Sequence, residues 1–127
     1  MTVRRTLRCA QSKRRRFQVK GILARVDEGR LGRAVAGLVQ RSLVVEEVVR
    51  DGGSIRARVR STGVRGVRVH SVGLTVVGRG HGVFCSCEDW RQRGIVCKHI
   101  AAVALHELGA RAHARSTRSM VGLLLQL

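Results

Sequence analysis

Three cysteines and one histidine, all within fifteen residues, constrain this chain more than any other feature. They form two short pairs, Cys85-Ser86-Cys87 and Cys97-Lys98-His99, separated by nine residues. Zinc takes four sulfur or nitrogen ligands at the corners of a tetrahedron, and Cys₃His is a common closed set. The intervening loop is long enough to bring the second pair back to the first. The spacing therefore predicts one structural zinc ion with no position left for water or substrate.

Other thiol chemistry is an alternative to a metal site. Two disulfides are arithmetically available because Cys9 is a fourth cysteine. However, nothing resembles a secretory signal peptide, and a cytosolic setting disfavours disulfides. A Cys-His catalytic dyad is the enzymatic alternative, but paired thiols on both sides of the gap suit a metal better than a lone nucleophile. We therefore expect a cytoplasmic protein that is not an enzyme.

The two pairs resemble the SWIM zinc finger, whose pattern is C-x-C, a variable gap and then C-x-H. Residues 85–90 resemble the first knuckle of that family, and residues 97–103 resemble its second knuckle and helix. The specific resemblance covers residues 83–109. The family occurs in chromatin-remodelling ATPases, transposases and small prokaryotic proteins, so the resemblance implies a DNA- or protein-binding module without fixing the partner. It also implies the zinc ligands Cys85, Cys87, Cys97 and His99.

The charge of the chain favours a polyanionic partner. Its 25 lysines and arginines against 8 acidic residues give a formal net charge of +17 at pH 7. All but three of the 25 are arginines, whose planar fork binds phosphate and stacks on bases. Nucleic acid is therefore expected rather than a membrane or a small-molecule substrate. Aromatic residues make up only 2% of the chain, which argues against base-stacking platforms of the single-strand-binding kind.

Residues 1–20 form a basic arm without any acidic residue. Like-charge repulsion keeps such an arm extended when it is free, and phosphates could order it. A solubilising tail or a localisation signal is the alternative. The candidate phosphate contacts in the arm are Arg4, Arg5, Arg8, Lys13, Arg14, Arg15, Arg16 and Lys20.

The remaining sequence predicts a small α+β domain over residues 21–109, with a basic segment and apolar tail at 110–127. Residues 27–41 have the spacing of an amphipathic helix that Asp27 can cap. Residues 43–84 alternate as an antiparallel sheet, with a turn at 51–53 and separate segments near 66–70 and 72–76. A helix from Cys97 to Leu108 is expected to end at Gly109, with Cys97 just before it or in a loose first turn. Residues 120–127 are either a final strand or helix, or a docking tail.

Two further groups of basic residues are candidates for phosphate contact. Arg56, Arg58 and Arg60 alternate with apolar residues, so a strand places them on one face, about 6.5–7 Å apart. An ordinary solvent face mixes charges of both signs, whereas this arginine-rich face has three arginines in register. The second group lies on the zinc knuckle and comprises Arg91, Arg93 and Lys98.

Together these features predict a non-catalytic, zinc-containing nucleic-acid-binding protein. RNA is favoured over DNA, with ribosomal RNA and neighbouring ribosomal proteins as candidate partners. A short chain with a basic arm, a zinc-stabilised core and few aromatic residues suits packing into folded RNA. A DNA-binding regulator or mobile-element protein, a zinc-scaffolded protein-interaction module and a thiol enzyme are the alternatives.

Overall fold

The computed structural model describes the backbone of residues 19–77 and 80–125, and the side chains of residues 19–75 and 82–113. Within these residues the chain forms one antiparallel sheet with flanking helices, which is the predicted α+β class. The elements in chain order are α1 (Val19–Leu23), α2 (Glu28–Gln40), β1 (Leu43–Asp51), β2 (Ser54–Gly63), β3 (Gly66–Val77), β4 (Gly80–Cys85), α3 (Glu88–Arg93) and α4 (Lys98–Leu125).

The four strands lie side by side in the order of the sequence, and each neighbouring pair is antiparallel. The predicted turn at 51–53 joins β1 to β2, and Gly52 adopts a φ of 57° there, which glycine tolerates without strain. β3 is one continuous strand rather than the two predicted segments. The reason is that it pairs with the whole length of β2, from Ser54 opposite Thr75 to Gly63 opposite Gly66.

One face of the sheet is packed and the other is open. The packed face uses alternate residues of β2, namely Ile55, Ala57 and Val59, all of which are buried. They share one apolar cluster with Ile100 and Val103 of α4. α4 contacts all four strands, and α1 and α2 pack against α4. Each large apolar side chain buried in this way contributes about 1.5–3 kcal/mol, so α4 is central to the stability of the sheet.

α2 begins as predicted, because the Asp27 carboxylate accepts the Arg30 backbone N–H at 2.8 Å. Its buried Gly37 has a role that helix propensity alone does not show. A Cβ at this position would lie 2.6 Å from Leu43 Cγ at the start of β1. Glycine therefore permits close packing of α2 on β1, although glycine weakens an isolated helix.

α4 begins where expected, at Lys98 directly after Cys97, but its predicted end at Gly109 is wrong. The helix continues to Leu125. A lone glycine costs about 1 kcal/mol relative to alanine, which is too little to end a well-anchored helix. Across Gly109, the Nε of Arg111 donates to Glu107 Oε1 at 3.2 Å and links successive turns. The predicted boundary between residues 109 and 110 therefore falls inside a helix.

The other predicted boundary, at residue 20, lies close to the first helix. Val19 is buried in α1 and Lys20 is exposed on it. Residues 1–18 of the predicted arm lie outside the described residues. No helix in the described part of the chain has the length and apolar character needed to cross a membrane.

The carboxylate of Glu107 joins the end of β1 to α4. Its side chain is only 7% exposed and accepts from Arg50 Nη2 at 2.7 Å and Nε at 2.9 Å. Arg111 occupies its other oxygen. Burial by itself would raise the pKa of Glu107, but hydrogen bonding to Arg50 and the charges of both arginines lower the pKa below its ordinary value of 4.5. The carboxylate therefore stabilises the fold at neutral pH, and this contribution is lost as the pH falls from about 4.5 through the folded pKa.

We expect Glu107→Gln to reduce the free energy of unfolding at pH 7 by about 1–2 kcal/mol. The loss is smaller than the roughly 3–5 kcal/mol of a fully buried pair because both arginines are partly exposed and can be resolvated. Urea denaturation of the zinc-loaded protein measures it. A double-mutant cycle with Arg50→Gln isolates the interaction of the pair. Strictly additive effects of the two substitutions would show that the ion pair contributes nothing.

Candidate metal centre

Four side chains from the end of the sheet and the start of α4 meet in one buried cluster. Their ligand atoms all lie within 4.8 Å of one another. Two of the residues end β4 and precede α3, and two stand at the start of α4. The members are the predicted ligands Cys85, Cys87, Cys97 and His99.

The first pair is held in place by Ser86, the residue between its two cysteines. The backbone N–H of Ser86 donates to the Ser71 carbonyl at 3.0 Å, and the Ser71 N–H donates to Ser86 Oγ, also at 3.0 Å. The turn after β4 is thereby fixed to β3. Both flanking cysteines are consequently buried at the same site. Sequence spacing does not predict this serine pair, because Ser71 lies in β3 and Ser86 lies fifteen residues later in the turn after β4.

The gap between the two pairs is shaped by a short helix. α3 follows Cys87, whose carbonyl accepts the Arg91 N–H at 3.1 Å. Gly94 ends α3 with a φ of 64° and donates its N–H to the Trp90 carbonyl at 2.9 Å, so the chain changes direction at this glycine. The chain then returns to Cys97, whose carbonyl accepts the Ala101 N–H at 3.0 Å and starts α4.

The donors fit a zinc ion in both chemistry and spacing. All three cysteines of the cluster are free thiols. Cys85 Sγ lies 3.8 Å from His99 Nδ1. Zinc–sulfur bonds of about 2.3 Å and zinc–nitrogen bonds of about 2.0–2.1 Å give a tetrahedral edge of roughly 3.6–3.8 Å. Soft thiolates together with an imidazole are a donor set that zinc favours.

The three buried thiols of the cluster differ in pKa because they lie close together and hydrogen-bond to one another. A hydrogen bond with Cys97, reinforced by burial, raises the pKa of Cys85, and burial raises the pKa of Cys87. The hydrogen bond with Cys85 lowers the pKa of Cys97 to about 4. Only one of the three is therefore readily ionised. A bound divalent cation supplies the positive charge that stabilises all three thiolates.

Comparison with protein families agrees with this geometry. Residues 76–108 match the family model of the SWIM zinc finger. This segment is a SWIM zinc finger. The match starts a few residues before the predicted range of 83–109 and includes all four ligands of the cluster. Comparison with curated proteins and with solved structures gave no match.

The SWIM finger and its buried Cys₃His cluster fit one structural zinc ion, as the sequence predicted. Four protein ligands complete a tetrahedral shell, so such an ion has no open position. Cys85, Cys87, Cys97 and His99 would hold it, and its chemistry would be to stabilise the fold.

Side chains around the SWIM finger connect it to the other elements. The His70 ring of β3 lies against the His99 ring with centroids 4.1 Å apart. The guanidinium of Arg30 in α2 reaches Asp89 of α3 at 3.4 Å. The ring of Phe84 meets the edge of Trp90, with centroids 5.1 Å apart. The finger is therefore integrated into the domain rather than attached at its end.

The structure describes some of the residues that were predicted to contact phosphate and not others. Lys20, Arg91 and Arg93 are exposed, and Lys98 is partly buried at the start of α4. The other arm residues lie outside the described part of the chain; they are Arg4, Arg5, Arg8, Lys13, Arg14, Arg15 and Arg16.

The three arginines of β2 are exposed on the open face as expected, but two carboxylates of β1 pair with them, so this face does mix charges of both signs. Arg60 Nη2 lies 2.9 Å from a Glu46 oxygen, and Arg58 Nε lies 3.1 Å from a Glu47 oxygen. A bulge in β1, between Glu46 and Val49, accompanies this pairing, and Glu47 adopts a φ of 52° within it. Within the described residues, Arg56 is the member of the trio without an ion-pair partner.

Proposed function

We propose that this protein is a non-catalytic nucleic-acid-binding protein whose SWIM finger stabilises the fold and whose arginines make the contacts. The excess of 25 basic over 8 acidic side chains carries the proposal. Five of the eight acidic side chains are already in ion pairs within the described residues. Internal carboxylates therefore cannot neutralise the arginines, and a polyanion can.

A binding role rather than catalysis is supported by the chemistry of the metal centre. Its four protein ligands leave no position for a substrate or an activated water. Within the described residues, the thiols that could serve as nucleophiles are buried members of the same cluster. Zinc here supports the surface that does the binding.

RNA is the polyanion that we favour, with a folded ribonucleoprotein particle such as the ribosome as the setting. Arginine forks contact phosphates and 2′-hydroxyls without reading bases, which is how folded RNA is commonly recognised. A basic arm followed by a small zinc-bearing domain suits such a partner. Duplex DNA is the competing ligand, and the same experiment compares the two.

The proposal is tested by fluorescence anisotropy with labelled single-stranded RNA, hairpin RNA and duplex DNA of equal length, across salt from about 50 to 200 mM. We expect RNA to bind with an affinity that falls steeply as salt rises, because bound arginines release counterions. Tighter binding to duplex DNA than to either RNA would show that DNA is the preferred ligand and that the RNA preference is wrong. Failure to bind any of the three at low salt would overturn the proposal and favour a protein-interaction module.

The ion pairs on the open face predict unequal roles for its arginines. Arg56→Gln should lower the salt slope of RNA binding by about 1, because a guanidinium without an ion pair can donate to one phosphate through its N–H edge. Arg60→Gln is the matched control on the same strand, and its effect should be smaller because Glu46 already holds that guanidinium. Changing all three arginines to glutamine should leave the melting temperature nearly unchanged, since the buried face of β2 is untouched. Equal effects of the two single substitutions would contradict this ranking.

A further inference from the structure

The open face of the sheet carries a groove whose floor is Gly73 of β3. Gly73 stands opposite Arg56 of β2 on one side and Phe84 of β4 on the other. Neighbouring strands are about 4.8 Å apart, so the Cβ atoms of Arg56 and Phe84 face each other across roughly 10 Å with no side chain between them. Two adjoining hollows of about 430 and 300 Å³ share these three residues in their linings. The groove is thus large enough for part of a ligand.

The two walls of the groove are flat, and both are open to solvent. Phe84 is one of the very few aromatic residues of the chain, and it is 47% exposed on this face. Its edge-on contact with Trp90 orients the ring. The opposite wall, Arg56, has no ion-pair partner within the described residues. A planar group between the two walls needs about 3.5–4.0 Å to each of them, and the gap provides this distance.

We propose that one unpaired nucleobase of a single-stranded nucleic acid binds over Gly73, stacked between the Phe84 ring and the Arg56 guanidinium. This inference rests on the proposed nucleic-acid binding and adds that the bound strand is unpaired at this contact. The net charge of +17 favours a ligand that joins a flat ring to phosphates. Every base has a π-face, so the groove selects unpaired bases without selecting a sequence.

The low aromatic content of the chain is consistent with a single stacking site. An extended platform needs several exposed rings, whereas one groove needs one ring and one guanidinium. Arg58 lies beside the same hollow, but Glu47 holds its guanidinium at 3.1 Å. Stacking from the arginine side is therefore assigned to Arg56.

Gly73→Val is the substitution that blocks the groove without removing any contact of the fold. A Cβ at Gly73 would lie 3.7 Å from the Phe84 Cβ, which is an ordinary contact. Valine is also well suited to a strand. Gly63→Val is the matched control, because Gly63 lies at the far end of the β2–β3 hairpin and a Cβ there meets nothing within 4 Å.

The experiment titrates the zinc-loaded full chain with oligothymidylate and with an abasic deoxyribose strand of the same length and charge. Affinity at fixed salt is the main readout, and fluorescence of Trp90, the one tryptophan of the chain, reports on the neighbouring Phe84 ring. We expect the unmodified protein to prefer the strand with bases by about tenfold or more. Gly73→Val should lose this preference and keep its affinity for the abasic strand. Gly63→Val should behave as the unmodified protein does.

The possible outcomes separate this inference from the proposed function. Equal binding of both strands by the unmodified protein would overturn the base site and leave phosphate binding intact. A preference for bases that survives in Gly73→Val would also overturn it, because the stacked base would then lie elsewhere. Binding of neither strand at low salt would overturn the base site, and the titrations with RNA and duplex DNA decide the proposed function separately.

Discussion

Replacing Cys87 by alanine should release the zinc ion and unfold the domain. Structural zinc contributes roughly 10–16 kcal/mol of apparent free energy in finger peptides at neutral pH. A domain of this size has a net stability of about 5–15 kcal/mol. The expected loss is therefore as large as the whole stability of the fold.

The effect should spread beyond the SWIM finger because of where α4 begins. This helix starts between Cys97 and His99, and it contacts every strand of the sheet. Its buried residues Ile100 and Val103 belong to the same apolar cluster as the inner face of β2. Loss of the metal releases the start of α4, and the sheet loses the helix that covers it.

Circular dichroism and metal analysis of the purified variant measure this prediction. Cys9→Ala is the matched control, since it removes a cysteine that is not part of the Cys₃His cluster. It should retain one zinc ion and the thermal transition of the unmodified protein. A Cys87→Ala protein with an unchanged helical signal and melting temperature would contradict the structural role of the metal.

Deleting residues 2–16 should have the largest effect on nucleic-acid binding. The deletion removes seven basic residues: Arg4, Arg5, Arg8, Lys13, Arg14, Arg15 and Arg16. Each phosphate contact adds about 0.7 to the salt slope on a single strand, so the slope should fall by up to about 5. Affinity should fall to a similar degree for all sequences, because phosphate contacts carry no sequence information.

Anisotropy titrations at several salt concentrations measure the slope for both proteins. A variant with the residues of the arm in scrambled order keeps the charge and should bind as the unmodified protein does. The deletion should leave the melting temperature of the zinc-loaded domain nearly unchanged, since the described core begins at Val19. A salt slope that survives the deletion would place the phosphate contacts on the folded domain instead.

The metal centre could be predicted from the sequence because its geometry is local. The four ligands lie within fifteen residues, and one residue separates the members of each pair. Burial along β2 was predictable for a similar reason, since alternation within one strand decides which side chains face the core. Asp27 at the start of α2 likewise needed only its neighbours along the chain.

The features that could not be predicted depend on the register between strands. The bulge in β1 and the antiparallel register set Glu46 and Glu47 against Arg60 and Arg58, which no single strand reveals. The groove over Gly73 needs three strands in register before Arg56 and Phe84 face each other. The length of α4 exceeds the prediction because a single glycine does not end this helix, and the ion pair across Gly109 joins its successive turns.

X-ray absorption at the zinc edge of the purified full chain tests the metal centre most directly. The expected result is one zinc ion per chain with three sulfur neighbours at about 2.3 Å and one nitrogen neighbour at about 2.0–2.1 Å. This shell should stay the same when RNA is added, because Cys85, Cys87, Cys97 and His99 fill every position. Protein that contains no zinc, or a shell in which an oxygen ligand replaces one of the three sulfurs, would contradict a closed structural site.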